Sequence, residues 1–117
     1  MHTSCDSYVV VEYNGDVYPC DFFVEPEWRL GNIHEDSWID IARREARYTF
    51  AGKKAVEQSV CAGCEYRSLC HRGCPHLRRA RNGRFEDLDY YCSSYKMLFE
   101  RNVGKLTKEV EKLLRHR

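Results

Sequence analysis

The sequence predicts an α+β fold: a small metal-stabilised domain with an N-terminal β-hairpin, a middle amphipathic helix, a cysteine-rich irregular segment and a long C-terminal helix. Three observations carry this. β-Branched and aromatic residues flank Asn14-Gly15 near the start. Apolar residues recur at helical spacing in the middle and again near the C-terminus. Between those helices, Cys61 to Cys92 is dense in cysteine and poor in apolar residues. With 117 residues, the chain suits one domain and is too short for two independent cores, so 1–117 is read as a single unit.

The hairpin comes first. Tyr8-Val9-Val10-Val11-Glu12-Tyr13 and Asp16-Val17-Tyr18 surround Asn-Gly, a strong two-residue turn signal because a type I′ turn needs positive φ at both central positions. A two-residue loop pairs Tyr13 with Asp16 and sets Val9 opposite Cys20. Cys5 and Cys20 then share the open end, and Pro19, lacking an N–H, suits a strand end. Glu25 to Glu35, with Pro26 and Gly31, reads as a loop. Ser37-Trp38-Ile39-Asp40 reads as a capping box. Trp38, Ile41, Ala42 and Ala46 then predict a helix from Ser37 to about Thr49, ended by Gly52. A short helix through Lys54 to Gln58 is a weaker expectation. From Cys61 to Cys92, Gly63, Gly73, Pro75 and Gly83 break any period, and a bound metal would supply the stability that burial cannot. Tyr95, Leu98, Phe99, Val103, Leu106, Val110, Leu113 and Leu114 mark one face of a packing helix over about 93–115.

The seven cysteines are Cys5, Cys20, Cys61, Cys64, Cys70, Cys74 and Cys92. An odd number cannot close into intramolecular disulfides without a leftover thiol. The segment Met1 to Asp6 has no apolar h-region, so no signal peptide is read there, and the expected compartment is the reducing cytoplasm. Clustered thiols in that compartment read as metal ligands. Cys61-x2-Cys64 grips one metal from a tight turn and by itself is a common zinc signal. Zinc structural sites take four ligands, and two of them would need eight. Cubane iron–sulfur clusters also take four thiolates, but one iron can carry another ligand.

The spacing Cys5-x9-Gly15-x4-Cys20, then Cys61-x2-Cys64-x5-Cys70-x3-Cys74, then Cys92 resembles the SPASM domain, the cysteine-rich extension of certain radical S-adenosylmethionine enzymes. Tyr18-Pro19-Cys20-Asp21-Phe22-Phe23, Leu30-Gly31-Asn32-Ile33 and Cys70-His71-Arg72-Gly73-Cys74-Pro75 are most similar to the anaerobic sulfatase-maturating branch. The motif spans 5–92 and the similarity runs to about Phe99. The resemblance implies two [4Fe–4S] clusters. Cys61, Cys64, Cys70 and Cys92 match the ligands of a distal cluster, and Cys5, Cys20 and Cys74 match ligands of a proximal one. That branch has a further cysteine six residues before the position of Cys5, a position that falls ahead of Met1. The resemblance also implies that Asp21 is the base that deprotonates a target Cys or Ser side chain; read from the residues alone, Asp21 is a loop carboxylate that caps backbone N–H groups.

The resemblance further implies the partners: a radical S-adenosylmethionine barrel in the parent chain, S-adenosylmethionine bound there, and a Cys- or Ser-containing sulfatase peptide as substrate. The barrel's own anchor is Cys-x3-Cys-x2-Cys. Cys70-x3-Cys74 begins that spacing, but position 77 is Leu77, so this chain alone is not expected to generate the radical. Met1 just before the motif reads as the start of an excised piece. A zinc-binding structural or interaction module is the alternative, since tetrahedral thiolates accept either metal and aerobic expression can load zinc.

Charge excludes other classes. Net charge is +1, with no global drive toward nucleic acid, and no run of 18 apolar residues suggests a membrane span. Six arginines stand against two glutamates between Glu65 and Glu86. This basic stretch reads as compensation for anionic clusters and as a docking rim. His34, His71 and His76 are read as lying outside the ligand set, because the cysteines already satisfy the sites.

Overall fold

The computed structural model describes residues 3–115. A three-stranded antiparallel sheet opens the chain, in the order β1 (Val10–Val11), β2 (Asp16–Tyr18), β3 (Gly31–Asn32). The hairpin is present, but its register differs by one residue from the expected one. Val10 pairs with Tyr18 and Val11 with Val17. The loop holds three residues, Tyr13-Asn14-Gly15, closed by Gly15 N–H to Glu12 O at 2.9 Å and Glu12 N–H to Asp16 O at 2.8 Å. The cause is local. The Asn14 side chain accepts the Asp16 N–H at 3.0 Å, and Gly15 takes φ +88°, so a turn plus glycine bulge replaces the type I′ turn. The segment expected to be a loop contributes β3, with Leu30 N–H on Val17 O at 2.7 Å, preceded by a 3₁₀ turn at Pro26–Trp28.

The middle helix is two helices. Ser37 caps α1 (Trp38–Arg43), its hydroxyl accepting the Asp40 N–H at 3.2 Å. At Arg44 the backbone turns to ψ 131°, which ends α1 and starts α2 (Glu45–Ala55). Gly52 lies inside α2 and does not end it. The helix expected over Lys54 to Gln58 is replaced by α3 (Ser59–Ala62), one turn further on. The cysteine-rich stretch is turns joined by α4 (Arg67–Cys70) and α5 (Pro75–Arg79).

Two small apolar clusters hold this together. Val17, Leu30 and Ile41 join the sheet to α1, and Phe23, Trp28 and Phe50 join the loop after β2 to α2. Cys5, Cys20 and Phe85 pack on the second cluster, so the thiols border the core. The C-terminal helix α6 (Cys92–Arg115) forms as expected. At 24 residues it is about 36 Å long, and it projects from the body: the radius of gyration is 17.8 Å against about 13 Å for a compact chain of this length. Its stripe packs only at the start, where Phe99 meets Tyr66 at 5.5 Å between ring centroids. Further along, Leu106 and Leu113 are 63% and 69% exposed, so the packing-helix reading holds for the first two turns only.

Candidate functional site

The cysteines fall around two cavities. Cys61, Cys64, Cys70 and Cys92 line one, with Tyr66, Arg67, Arg72 and Phe99. Cys5, Cys20 and Cys74 line the other, a space of about 190 Å³ shared with Tyr8, Phe22, Phe50 and Lys54. This is the partition that the resemblance implied, four and three. All seven are free thiols and half-buried. Among the described residues, no three His, Cys, Asp or Glu side chains converge closely enough to hold a single metal ion.

The backbone accounts for the partition. α3 brings Cys61 and the turn after it Cys64, with Cys64 N–H on Cys61 O at 3.2 Å. α4 ends on Cys70, and the N-terminus of α6 supplies Cys92. Cys70 and Cys74 face different cavities although only three residues separate them. The intervening His71, Arg72 and Gly73 all have positive φ, at 49°, 67° and 72°. Two side-chain-bearing residues in the left-handed region cost about 1–2 kcal/mol each, and such strain collects at functional sites. Buried Asp89 holds the turn, accepting the Cys74 N–H and the Tyr91 N–H, both at 2.8 Å. A Cβ on Gly73 would lie 2.3 Å from Asp89 Oδ2.

Asp21 is exposed at the rim beside Cys20. Tyr8 Oη lies 3.4 Å from Asp21 Oδ1 and 3.5 Å from Cys20 Sγ, and its hydrogen bond to Cys20 holds the Tyr8 phenol above its usual range. The histidines do other things. His76 stacks on Phe22 at 4.8 Å, His34 covers Gly15, and His71 is the left-handed cap of α4.

The electrostatics come partly from Lys54, which the sequence reading passed over, and from Arg78, one of the six arginines read as compensation for anionic clusters. Lys54, 3% exposed, lines the three-cysteine cavity and donates from Nζ to Gly73 O; burial pushes its pKa down. Arg78 is fully buried. Its five N–H groups all go to main-chain carbonyls: Arg72 O twice, Lys53 O, Lys54 O and Val56 O. Among the described residues neither cation has a carboxylate within ion-pair distance. The other arginines of the basic stretch are spent differently. Arg67 and Arg72 clamp Glu57 at 2.7 and 3.1 Å, Arg79 meets Glu25 and Arg84 meets Asp87. No signal in the sequence marks Lys54 and Arg78 as buried, since such residues are normally exposed.

These features fit a thiolate-held anionic group. Soft sulfur donors suit iron–sulfur clusters. Buried cations lacking counter-ions suit an anionic guest, because buried charges are normally paired. The buried Arg72 Nε, beside the four-cysteine cavity, has no hydrogen-bond partner and is a donor available to a cluster sulfur. Burial pushes the Cys5, Cys61 and Cys70 thiols up, so binding must displace protons from them.

Comparison with known proteins agrees with this chemistry. The SPASM iron–sulfur cluster-binding domain matches residues 5–65. A cysteine-type anaerobic sulfatase-maturating enzyme of Clostridium perfringens (strain 13) is 36% identical over 100 residues, covering 86% of this chain and 27% of that protein. A serine-type enzyme of Bacteroides thetaiotaomicron is 34% identical over 102 residues, 86% of this chain and 25% of that one. The solved structure of native anSMEcpe with bound AdoMet and Cp18Cys peptide superposes with TM-score 0.87 at 33% identity, over 97% of this chain and 31% of that one. This chain thus spans about a quarter to a third of the relatives it matches. With this match and the two thiol-lined cavities, the chain belongs to the SPASM family of iron–sulfur cluster-binding domains.

Proposed function

We propose that residues 1–117 form one domain that holds two [4Fe–4S] clusters for a radical S-adenosylmethionine enzyme, a maturase that converts a sulfatase Cys or Ser to formylglycine. Cys61, Cys64, Cys70 and Cys92 hold one cluster, and Cys5, Cys20 and Cys74 supply three ligands of the other. When bound, the clusters supply a store and an outward route for an electron released by the substrate. Asp21 takes the proton from the substrate thiol or hydroxyl, and the rim around it, with Tyr8 and Phe22, forms one wall of the peptide pocket. The barrel and S-adenosylmethionine belong to the rest of such an enzyme, in a reducing cytoplasm. Among the described residues no helix is long and apolar enough to cross a membrane.

The observation that carries this reading is Lys54 in the wall of the three-cysteine cavity and Arg78 bonded to the Arg72 and Lys54 carbonyls, both buried and, among the described residues, neither with a carboxylate within ion-pair distance. Anaerobic reconstitution with iron and sulfide tests it. About eight irons and eight sulfides per chain are expected; one or two retained zincs without sulfide would sink it. The Asp21 assignment has its own test in the full-length enzyme. Asp21→Asn should lower formylglycine formation by roughly 10²–10⁴-fold, and unchanged formation would remove the role.

A further inference from the structure

Arg78 is positioned to act on both sites and to bond to neither. Its five N–H donors are committed to neutral carbonyls, so none is free for a cluster sulfur. Two of those bonds end on the Arg72 carbonyl, in the left-handed turn between Cys70 and Cys74. The others, Lys53, Lys54 and Val56, lie at the end of α2, where the free carbonyls and the helix dipole favour a cation. Arg78 lines neither cavity, but its carbonyl partners belong to both walls: Arg72 lines the four-cysteine cavity and Lys54 the three-cysteine one. Lys54, by contrast, lines only the three-cysteine cavity.

We propose that Arg78 is a fixed internal cation shared by the two cluster sites, a positioning charge that raises the reduction potential of both and offsets the repulsion between them. The proposal rests on the two-cluster reading above. A [4Fe–4S]²⁺ core with four thiolates carries a net charge of about −2, and cluster potential follows net charge, hydrogen bonding and burial. Two such groups in one small domain oppose each other's reduction. A guanidinium immobilised by five bonds and shielded from water cannot be screened away by salt or swing out. Lys54 adds a second cation in the wall of the three-cysteine cavity.

The test is redox titration, followed by EPR, of the 117-residue chain after anaerobic reconstitution. Arg78→Met is expected to move both clusters to more negative potential, and Arg78→Lys, which keeps the charge with fewer donors, to keep both near wild type. Lys54→Met is expected to move the cluster at the three-cysteine site more than the other. Unchanged potentials in loaded Arg78→Met, a shift confined to one cluster, or Arg78→Lys behaving like Arg78→Met would overturn the proposal. If Arg78→Met takes up no iron, Arg78→Lys decides: loading with potentials near wild type supports the charge role, and failure to load assigns the residue to structure alone. Failure of the wild-type chain to take up iron and sulfide would instead count against the two-cluster reading.

Discussion

Gly73 and Asp89 show how little separates the two sites. At φ +72°, with Asp89 Oδ2 2.3 Å from where a Cβ would be, Gly73→Ala meets both backbone strain and a clash. It should cost about 2 kcal/mol or more, read by denaturant unfolding, and should displace Cys74, read as lost iron. The thiols give a pH prediction. Burial raises Cys5, Cys61 and Cys70 above the ordinary thiol value, so protons compete with metal. Metal uptake by the free thiols should therefore strengthen as pH rises and weaken as it falls, measured by zinc titration at several pH values. The grouping of the seven cysteines around two cavities was legible in the sequence because their spacing follows a family pattern. Lys54 and Arg78 were not, because their burial depends on α2 ending at Ala55 and on the turn at Arg72, contacts that no local pattern encodes.

At the scale of elements, short-range chemistry decided what could be read. The Ser37 cap and the start of α6 follow from local residue types. The hairpin was legible and its register was not: Asn14 took the Asp16 N–H and made Gly15 a bulge, and a one-residue slip exchanges the faces of a strand. That slip matters, because it sets Tyr8 within 3.5 Å of the Cys20 sulfur. The break at Arg44 has no proline or glycine to announce it. Glu57 ties α4 to the segment before α3. Its carboxyl is held down to about 2 by hydrogen bonds from Arg67 and then Arg72, from an ordinary 4.5. A folded value below the unfolded one gives stability that is present above about pH 4.5 and lost as pH falls toward 2. Glu57→Gln should flatten the pH dependence of unfolding in that window, measured against wild type. On α6, Leu113→Glu should change stability by no more than about 0.5 kcal/mol because the site is exposed, whereas Ile41→Ala, in the core, should cost about 2–4 kcal/mol.

At the scale of the whole molecule, one interleaved segment carries Cys70 and Cys74 to two separate thiol-lined cavities against a small apolar core. Seven apolar side chains are buried among the described residues, and the thiols border one of their two clusters. The α+β class was legible from the hairpin signal, the helical stripes and the cysteine density. The projection of α6 was not, because an amphipathic stripe says that a face seeks a partner and not where that partner lies. The most direct measurement compares iron and sulfide in two double variants, Cys5→Ala/Cys20→Ala and Cys64→Ala/Cys92→Ala, after anaerobic reconstitution. Each should retain about four irons, half the wild-type content, with the surviving cluster's EPR signal differing between the two. Identical signals, or wild-type iron content in either variant, would contradict two separate sites.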